Sequence, residues 1–384
     1  MARQQTTRLP SAVLAPADGE QLLSEKDDRI QSNTPDWELM HEEPPKPAIK
    51  RVPKWFYTTR GVCSLNMAAS LWWANLAGAI LHTLLMIVSV AVSMQDGNFG
   101  TPTVSVYLTN LTWVNSSDPF LPMYQKTTSI ALPVLVTLFF FLSALAHTTV
   151  CALNLKQAFA TGFTEDLFDA EKSKITNFTG WYYVNLHQCR NPLRWVEYGF
   201  SAAVMALVFA AVSGVSHAYM LTMLFALIWT TMTFGHFAER VCPPKDLGND
   251  TRPRFWLVND TNGHLLWAPY LNGKFHRLFW HVLGYYPYLS AWTCLLHSFF
   301  HTAANAPEGG GPPSFVYAII IGQFLLFSLF GVTQFVLLYR EQGPFHYVWG
   351  EMSYILLSLV AKAFLGLMLI ANVLMYSSLE ESMD

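Results

Sequence analysis

The sequence predicts an all-α membrane protein, folded as a bundle of seven transmembrane helices. Of its 384 residues, 52% are hydrophobic and only 13% are charged, whereas soluble domains contain about 25% charged residues. The chain also contains seven apolar segments that reach the roughly 20 residues needed to cross a bilayer. These segments are residues 66–94, 128–152, 190–213, 216–239, 279–304, 315–339 and 347–376.

The rest of the chain fits one membrane domain, residues 61–376, with a tail at each end. Residues 1–60 are mostly polar and include the proline-rich stretch Pro44–Pro47. They contain too few apolar side chains to form a packed core, so we expect a disordered N-terminal tail. Residues 377–384 form a short acidic C-terminal tail.

The lysines and arginines orient the bundle, because these residues concentrate in the cytoplasmic connections of membrane proteins. With the N-terminus inside, 21 of the 23 lie on the cytoplasmic side; Lys126 lies outside and Lys362 lies in the membrane. The opposite orientation would reverse this distribution. We therefore predict an integral multi-pass protein with a cytoplasmic N-terminus.

The exterior connections of this topology differ in character. Residues 95–127 form a long connection rich in threonine, valine and tyrosine, which are enriched in strands. A β-hairpin is therefore possible there. Residues 305–314 contain three consecutive glycines and several prolines, a composition typical of a turn.

Lys362 is the first candidate functional residue, because it lies in the middle of the last apolar segment. A lysine at that depth costs about 2.5–3.5 kcal/mol on insertion scales, and such residues usually mark function. An amine in an apolar pocket is a nucleophile towards an aldehyde. The alternative is a lysine paired with a carboxylate only for helix packing.

A cation buried at Lys362 needs an anion nearby. Glu351 lies eleven residues earlier on the same helix, which is roughly 16 Å away at about 1.5 Å per residue, too far for contact. Glu197 in the third segment is the better counterion, although it could instead pair with Arg194. Ser358 lies one helical turn before Lys362 and shares its face.

Two histidines, His82 and His147, lie deep in the first and second segments. Each alone is more often a core residue, but a cluster with Glu197 could accept a proton, since histidine titrates near neutrality. His297 and His301 have the four-residue spacing of metal ligands. No carboxylate or second histidine motif accompanies them, so we predict no metal site.

Taken together, these motifs resemble those of the heliorhodopsin family of retinal proteins. The residues that carry the resemblance are Gly78–His82, Ser143–His147, Arg194–Tyr198, Phe324–Gln334 and Gly350–Lys362. The last of these is the most specific, because it matches the helix that binds retinal. The cytoplasmic N-terminus also agrees with this family.

The resemblance implies a light sensor that carries all-trans retinal on Lys362 as a protonated Schiff base, with Glu197 as its counterion. It also implies a slow photocycle, no enzymatic activity and usually no ion pumping. The residues it places beside the chromophore are Lys362, Glu197, Ser358, Trp292 and Gln334. The residues it assigns to proton transfer are His82, His147 and Glu197. In a helix, an aromatic residue such as Trp292 more often serves core packing.

Two alternative functions remain open at this point. The first is a light-gated proton pathway that uses Glu197 and Glu351. The second is a non-photoactive transporter in which Lys362 and Glu197 bind a substrate. The resemblance implies a homodimer, and the long connections at 153–190 and 240–277 leave room for a cytoplasmic signalling partner. We predict no nucleic-acid partner.

Overall fold

The computed structural model describes residues 55–58, 61–94, 102–112, 121–159, 180–187, 189–241, 274–307, 310–339 and 344–374. All of these residues lie within the unit Pro47–Asp384. The predicted C-terminal tail and most of the predicted N-terminal tail lie outside the described residues.

Nine helices and one hairpin make up the described part of the chain. The helices are α1 (Trp55–Thr58), α2 (Met67–Ser93), α3 (Leu132–Ala158), α4 (Trp181–His187), α5 (Pro192–Val212), α6 (Ala218–Val241), α7 (Lys274–Ala304), α8 (Ser314–Tyr339) and α9 (Pro344–Leu369), which continues as a π-helical turn, Ile370–Leu374. The seven long helices correspond to the seven predicted segments.

Six of the seven long helices, all except α7, are long and apolar enough to cross a membrane. Histidines and tyrosines interrupt the apolar run of α7, which makes it the least apolar of the seven. It nevertheless packs against α6 and α8 within the bundle. The predicted fold class is therefore confirmed.

Side-chain caps and prolines explain where several helices begin. Asn66 caps α2 by accepting a hydrogen bond from the amide of Ala69 at 2.8 Å, and Asn191 caps α5 through the amide of Arg194 at 3.2 Å. Asparagine is among the preferred residues at this position. Helix α3 begins later than the predicted residue 128, because a strand continues to Ala131.

The β-hairpin expected in the first exterior connection is present. Strand β1 (Thr103–Thr112) pairs antiparallel with β2 (Leu121–Ala131). The amide of Tyr107 donates to the carbonyl of Ser216 at 2.9 Å, and Thr109 Oγ1 lies 2.7 Å from His217 Nε2. The hairpin therefore packs on the α5–α6 connection, which the topology predicts on the same side of the membrane.

Two short helices, α1 and α4, cover the opposite end of the bundle, and neither is predicted from the sequence. Phe56 of α1 is fully buried and packs edge-on against Tyr183 of α4. The Tyr183 hydroxyl donates to the carbonyl of Ala68 at 2.8 Å. Residues 55–58 of the expected N-terminal tail are therefore helical, because Phe56 has a buried surface to pack on.

Candidate functional site

The amine of Lys362 lies at the meeting point of three helices, α3, α5 and α9. Lys362 is 3% exposed, and its Nζ lies 2.5 Å from Glu197 Oε1 and 2.5 Å from Ser143 Oγ. Ser143 also lies 2.6 Å from Glu197 Oε1. The predicted contact between Lys362 and Glu197 is therefore present, and a serine completes it.

Arg194 does not pair with Glu197, so the alternative partner that the sequence offered for the Glu197 carboxylate is not the one it contacts. Its guanidinium instead makes salt bridges to Glu239 of α6 and Glu351 of α9. Asn191 Nδ2 donates to Glu351 Oε1 at 2.7 Å. Glu351 is thus part of a second polar cluster, which we call the arginine cluster.

The arginine cluster, made of Arg194, Glu239, Glu351, Asn191, Trp195, Tyr182 and Tyr347, is buried near the start of α5. Trp195 Nε1 donates to Glu239 Oε2 at 2.6 Å, and the Tyr347 hydroxyl donates to Glu239 Oε1 at 2.8 Å. The guanidinium carbon lies 3.9 Å from the centroid of the Tyr354 ring. Nearly every polar group of this cluster has a partner, as buried charges require.

The two predicted histidines lie together. The rings of His82 and His147 stack with centroids 5.6 Å apart, and His82 is fully buried. His147 Nδ1 lies 2.9 Å from Asn75 Oδ1. His147 is one helical turn from Ser143 on α3, so the histidine pair adjoins the ion pair of Lys362.

A cavity begins at Lys362 and extends among α5, α6, α7, α8 and α9. Pockets lined mainly by apolar and aromatic side chains hold ligands that are mostly apolar. The side chains in its wall are mainly aromatic or small: Trp195, Tyr198, Ser201, Ala202, Met205, Thr231, Met232, Gly235, His281, Gly284, Tyr285, Tyr288, Phe327, Ser328, Phe330, Gly331, Gln334, Tyr354, Ser358, Ala361 and Lys362.

Three residues predicted beside a chromophore differ in their placement. Gln334 and Ser358 line the cavity, and Gln334 Oε1 accepts a 2.5 Å hydrogen bond from the Tyr354 hydroxyl. Trp292 does not line it. Trp292 is buried behind the wall, against Phe327 at a centroid distance of 5.8 Å, because its position on α7 points it into the aromatic core.

Comparison with known families decides the class of protein. The family profile described as Heliorhodopsin matches residues 173–374, more than half of the chain. The chain belongs to the heliorhodopsin family. It is therefore a rhodopsin-like membrane protein, and this membership implies a retinal chromophore.

Solved structures resemble this heliorhodopsin in part. The transmembrane domain of the Salpingoeca rosetta rhodopsin phosphodiesterase matches with a TM-score of 0.45 and 10% identity, covering 84% of this chain and 92% of its own. Exiguobacterium sibiricum rhodopsin matches with a TM-score of 0.45 and 12% identity, and the match covers 81% of this chain and 96% of that rhodopsin chain. No curated protein matches the sequence.

The cavity fits the chromophore that the family implies. Its aromatic wall suits a polyene, and Lys362 supplies a primary amine in that wall. The carboxylate of Glu197 lies beside this amine, where an anion can stabilise a cationic nitrogen.

The pair His297 and His301 of this heliorhodopsin gives no support for a metal site. Both residues are exposed, and their rings lie 5.9 Å apart between centroids. Within the described residues, no three histidine, cysteine, aspartate or glutamate side chains come together as a metal site.

Sequence reasoning missed four residues that the structure brings to these clusters: Ser143, Glu239, Asn75 and Tyr182. Ser143 lies one turn before His147, and Asn75 lies two turns before His82 on the same helical face. That spacing was a usable signal. Glu239 and Tyr182 come from other helices, and nothing in the local sequence indicates that Glu239 pairs with Arg194 or that Tyr182 donates to Glu351.

Gly366 controls how closely α9 approaches α3 beside Lys362. A Cβ atom at Gly366 would lie 2.1 Å from the Phe140 ring. Gly366 is one turn from Lys362 on α9, and Phe140 is one turn from Ser143 on α3. We expect Gly366→Ala to lower the free energy of unfolding by about 1–3 kcal/mol, the usual cost of overpacking, measured by thermal unfolding in detergent.

A glycine in a looser contact provides the control. In Gly199→Ala the new Cβ would lie 3.2 Å from the Trp229 ring, so a smaller loss is expected. Equal losses in the two variants would contradict the close packing of α9 against α3.

Proposed function

We propose that this heliorhodopsin is a light sensor that carries all-trans retinal on Lys362 as a protonated Schiff base, with Glu197 as the counterion. The observation that supports it most directly is the placement of Lys362. Its amine belongs to the wall of an aromatic cavity and lies 2.5 Å from a buried carboxylate.

Each residue near Lys362 has a distinct task in this proposal. When bound, retinal supplies an aldehyde carbon, joined to the lysine nitrogen with loss of water, and a polyene that isomerises in light. Glu197 stabilises the positive charge on the nitrogen, and Ser143 orients the carboxylate by a hydrogen bond. The aromatic wall excludes water, which strengthens the attraction between the two charges.

The histidine pair and the arginine cluster supply the response to light. His82 and His147 lie next to the ion pair and can hold a proton that leaves the Lys362 nitrogen, because a neutral imidazole ring has one nitrogen with a lone pair that accepts a proton. A change of charge there biases a bundle with two packing states. We propose a slow photocycle without ion pumping or enzymatic activity.

The topology and partners follow from the same proposal. We infer that the N-terminus and the arginine cluster face the cytoplasm, from the distribution of lysines and arginines and the positive-inside rule. We also propose a homodimer, and a cytoplasmic partner that contacts the connections at 153–190 and 240–277.

Expression with all-trans retinal and voltage clamp test the sensor proposal. We expect a visible absorption band and no sustained current under continuous light. A protein without any visible band would instead support the non-photoactive transporter, and a sustained photocurrent would contradict a sensor that passes no ions.

We expect Glu197→Gln to remove most of the visible band at neutral pH and replace it with a near-ultraviolet band of the unprotonated imine. Removing one member of a buried ion pair costs about 3–5 kcal/mol, which disfavours the positively charged nitrogen. Ser143→Ala is the control, because it keeps the carboxylate, and should shift the band only slightly. An unchanged spectrum in Glu197→Gln would reject Glu197 as counterion.

A light-gated proton pathway is the second candidate, and one observation favours it. Hydrogen bonds run from His147 through Asn75 and Tyr182 to Glu351, so polar groups connect the histidine pair with the arginine cluster. Under this alternative, illumination produces a proton current that Glu351→Gln abolishes. A current that is unaffected by this substitution would exclude Glu351 from the pathway.

A further inference from the structure

Asn75 is a buried side chain with three partners, and these partners fix which way its amide faces. One atom of the amide lies 2.8 Å from the backbone carbonyl of Leu71. A carbonyl only accepts, so that atom is Nδ2, which donates. Oδ1 is therefore the atom that lies 2.9 Å from His147 Nδ1.

The same reasoning fixes the hydrogen on His147. An amide oxygen only accepts, so the Nδ1 of His147 must donate to Asn75 and carry a hydrogen. A neutral imidazole has one N–H, so its Nε2 then has a free lone pair. We propose that Asn75 is a positioning residue that keeps the hydrogen of neutral His147 on Nδ1 and makes Nε2 the nitrogen that accepts a proton.

This arrangement also suits the protonated ring. The imidazolium keeps its Nδ1–H, so the bond to Asn75 survives proton uptake and becomes charge-assisted, which strengthens it. Asn75 Nδ2 also lies 3.3 Å from the Tyr182 hydroxyl, and that hydroxyl donates to Glu351 Oε1 at 3.2 Å. Asn75 thus links the charge state of His147 to the arginine cluster.

In the proposed function, a proton that leaves the Lys362 nitrogen binds His147 at Nε2, on the ring edge away from Asn75. The role in the photocycle rests on that proposed function, but the position of the hydrogen does not. The tautomer is measurable in the dark and without retinal. The two proposals can therefore fail separately.

Nitrogen-15 solid-state NMR of the histidine-labelled full chain in lipid tests the tautomer. The His147 signals are those missing from His147→Gln. We expect a protonated Nδ1 and an unprotonated Nε2 in the parent protein, and a gain of the Nε2–H form in Asn75→Leu. An Nε2–H tautomer in the parent, or a tautomer unchanged in Asn75→Leu, would overturn the proposal.

Asn154→Leu is the matched control. Asn154 is also buried. Its Nδ2 donates to the carbonyl of Val150 at 2.8 Å, as Asn75 does to Leu71, but its side chain bonds none of the described histidines. The Asn154→Leu substitution should leave the His147 signals unchanged.

The variant Asn75→Asp keeps an acceptor for the His147 Nδ1–H, so it should retain the hydrogen on Nδ1. If Asn75→Leu does not fold, an Nε2–H tautomer in Asn75→Asp overturns the proposal instead.

Flash photolysis of the retinal-loaded protein gives a second readout. Losing one hydrogen bond typically costs about 0.5–1.5 kcal/mol, so recovery of the dark spectrum should change roughly two- to tenfold in Asn75→Leu and less than about twofold in Asn154→Leu. Equal recovery in the parent and Asn75→Leu would contradict a role for this hydrogen bond in proton transfer. A parent without a visible band rejects only the proposed function.

Discussion

We expect Lys362→Ala to abolish the visible absorption of the protein reconstituted with retinal. No other described lysine lines the cavity, so retinal has no amine there to which it can be attached. Alanine also removes the positive charge that partners the buried Glu197. Leaving a buried ion uncompensated costs about 3–5 kcal/mol, unless the carboxylate takes up a proton.

Absorption spectroscopy after reconstitution with retinal, with acid trapping of the bound chromophore, measures the first effect. Lys126→Ala is the control, because Lys126 is exposed on β2 and should keep the parent spectrum. A visible band that survives in Lys362→Ala would show that retinal is attached elsewhere, and would remove the basis of the proposed function.

The helices were predictable because their signals are local. Seven apolar runs of sufficient length are visible in the sequence, and helices such as α2 and α8 begin and end within one residue of the predicted segments. Helix α1 and helix α4 were not predictable. They are short, and they are ordered by tertiary contacts such as those of Phe56 and Tyr183 rather than by periodicity.

The site was predictable in part. The cost of placing Lys362 in the membrane identified it from the sequence, and rise per residue excluded Glu351 as its partner. Which carboxylate Arg194 contacts depends on the packing of α5 against α6 and α9, and sequence spacing does not encode this. For the same reason, Trp292 was expected at the cavity but lies behind its wall.

Arg194→Gln is the second substitution with a large expected effect. Arg194 is 5% exposed and is paired with both Glu239 and Glu351. Glutamine leaves two buried carboxylates next to each other without a cation. We expect the free energy of unfolding to fall by about 3–5 kcal/mol, measured by thermal unfolding of the retinal-loaded protein in detergent.

Arg190→Gln is the control for this effect. Arg190 is partly exposed and donates to an amide oxygen, Asn185 Oδ1, at 2.9 Å. Exposed or half-exposed polar contacts contribute little, typically less than about 1 kcal/mol. An equal loss in Arg190→Gln would show that the damage comes from this end of the bundle in general rather than from the unpaired carboxylates.

A combined variant separates the two ways in which Arg194 can stabilise the bundle. In Arg194→Met with Glu239→Gln and Glu351→Gln, no charge is left unpaired, and replacing a whole buried ionic group is often neutral or stabilising. We expect it to recover most of the stability that Arg194→Gln loses. If it stays as unstable as Arg194→Gln, the guanidinium contributes mainly by stacking on Tyr354 and by filling space. If Arg194→Gln alone is as stable as the parent, the two carboxyl groups are not both charged, and the cluster already stores a proton.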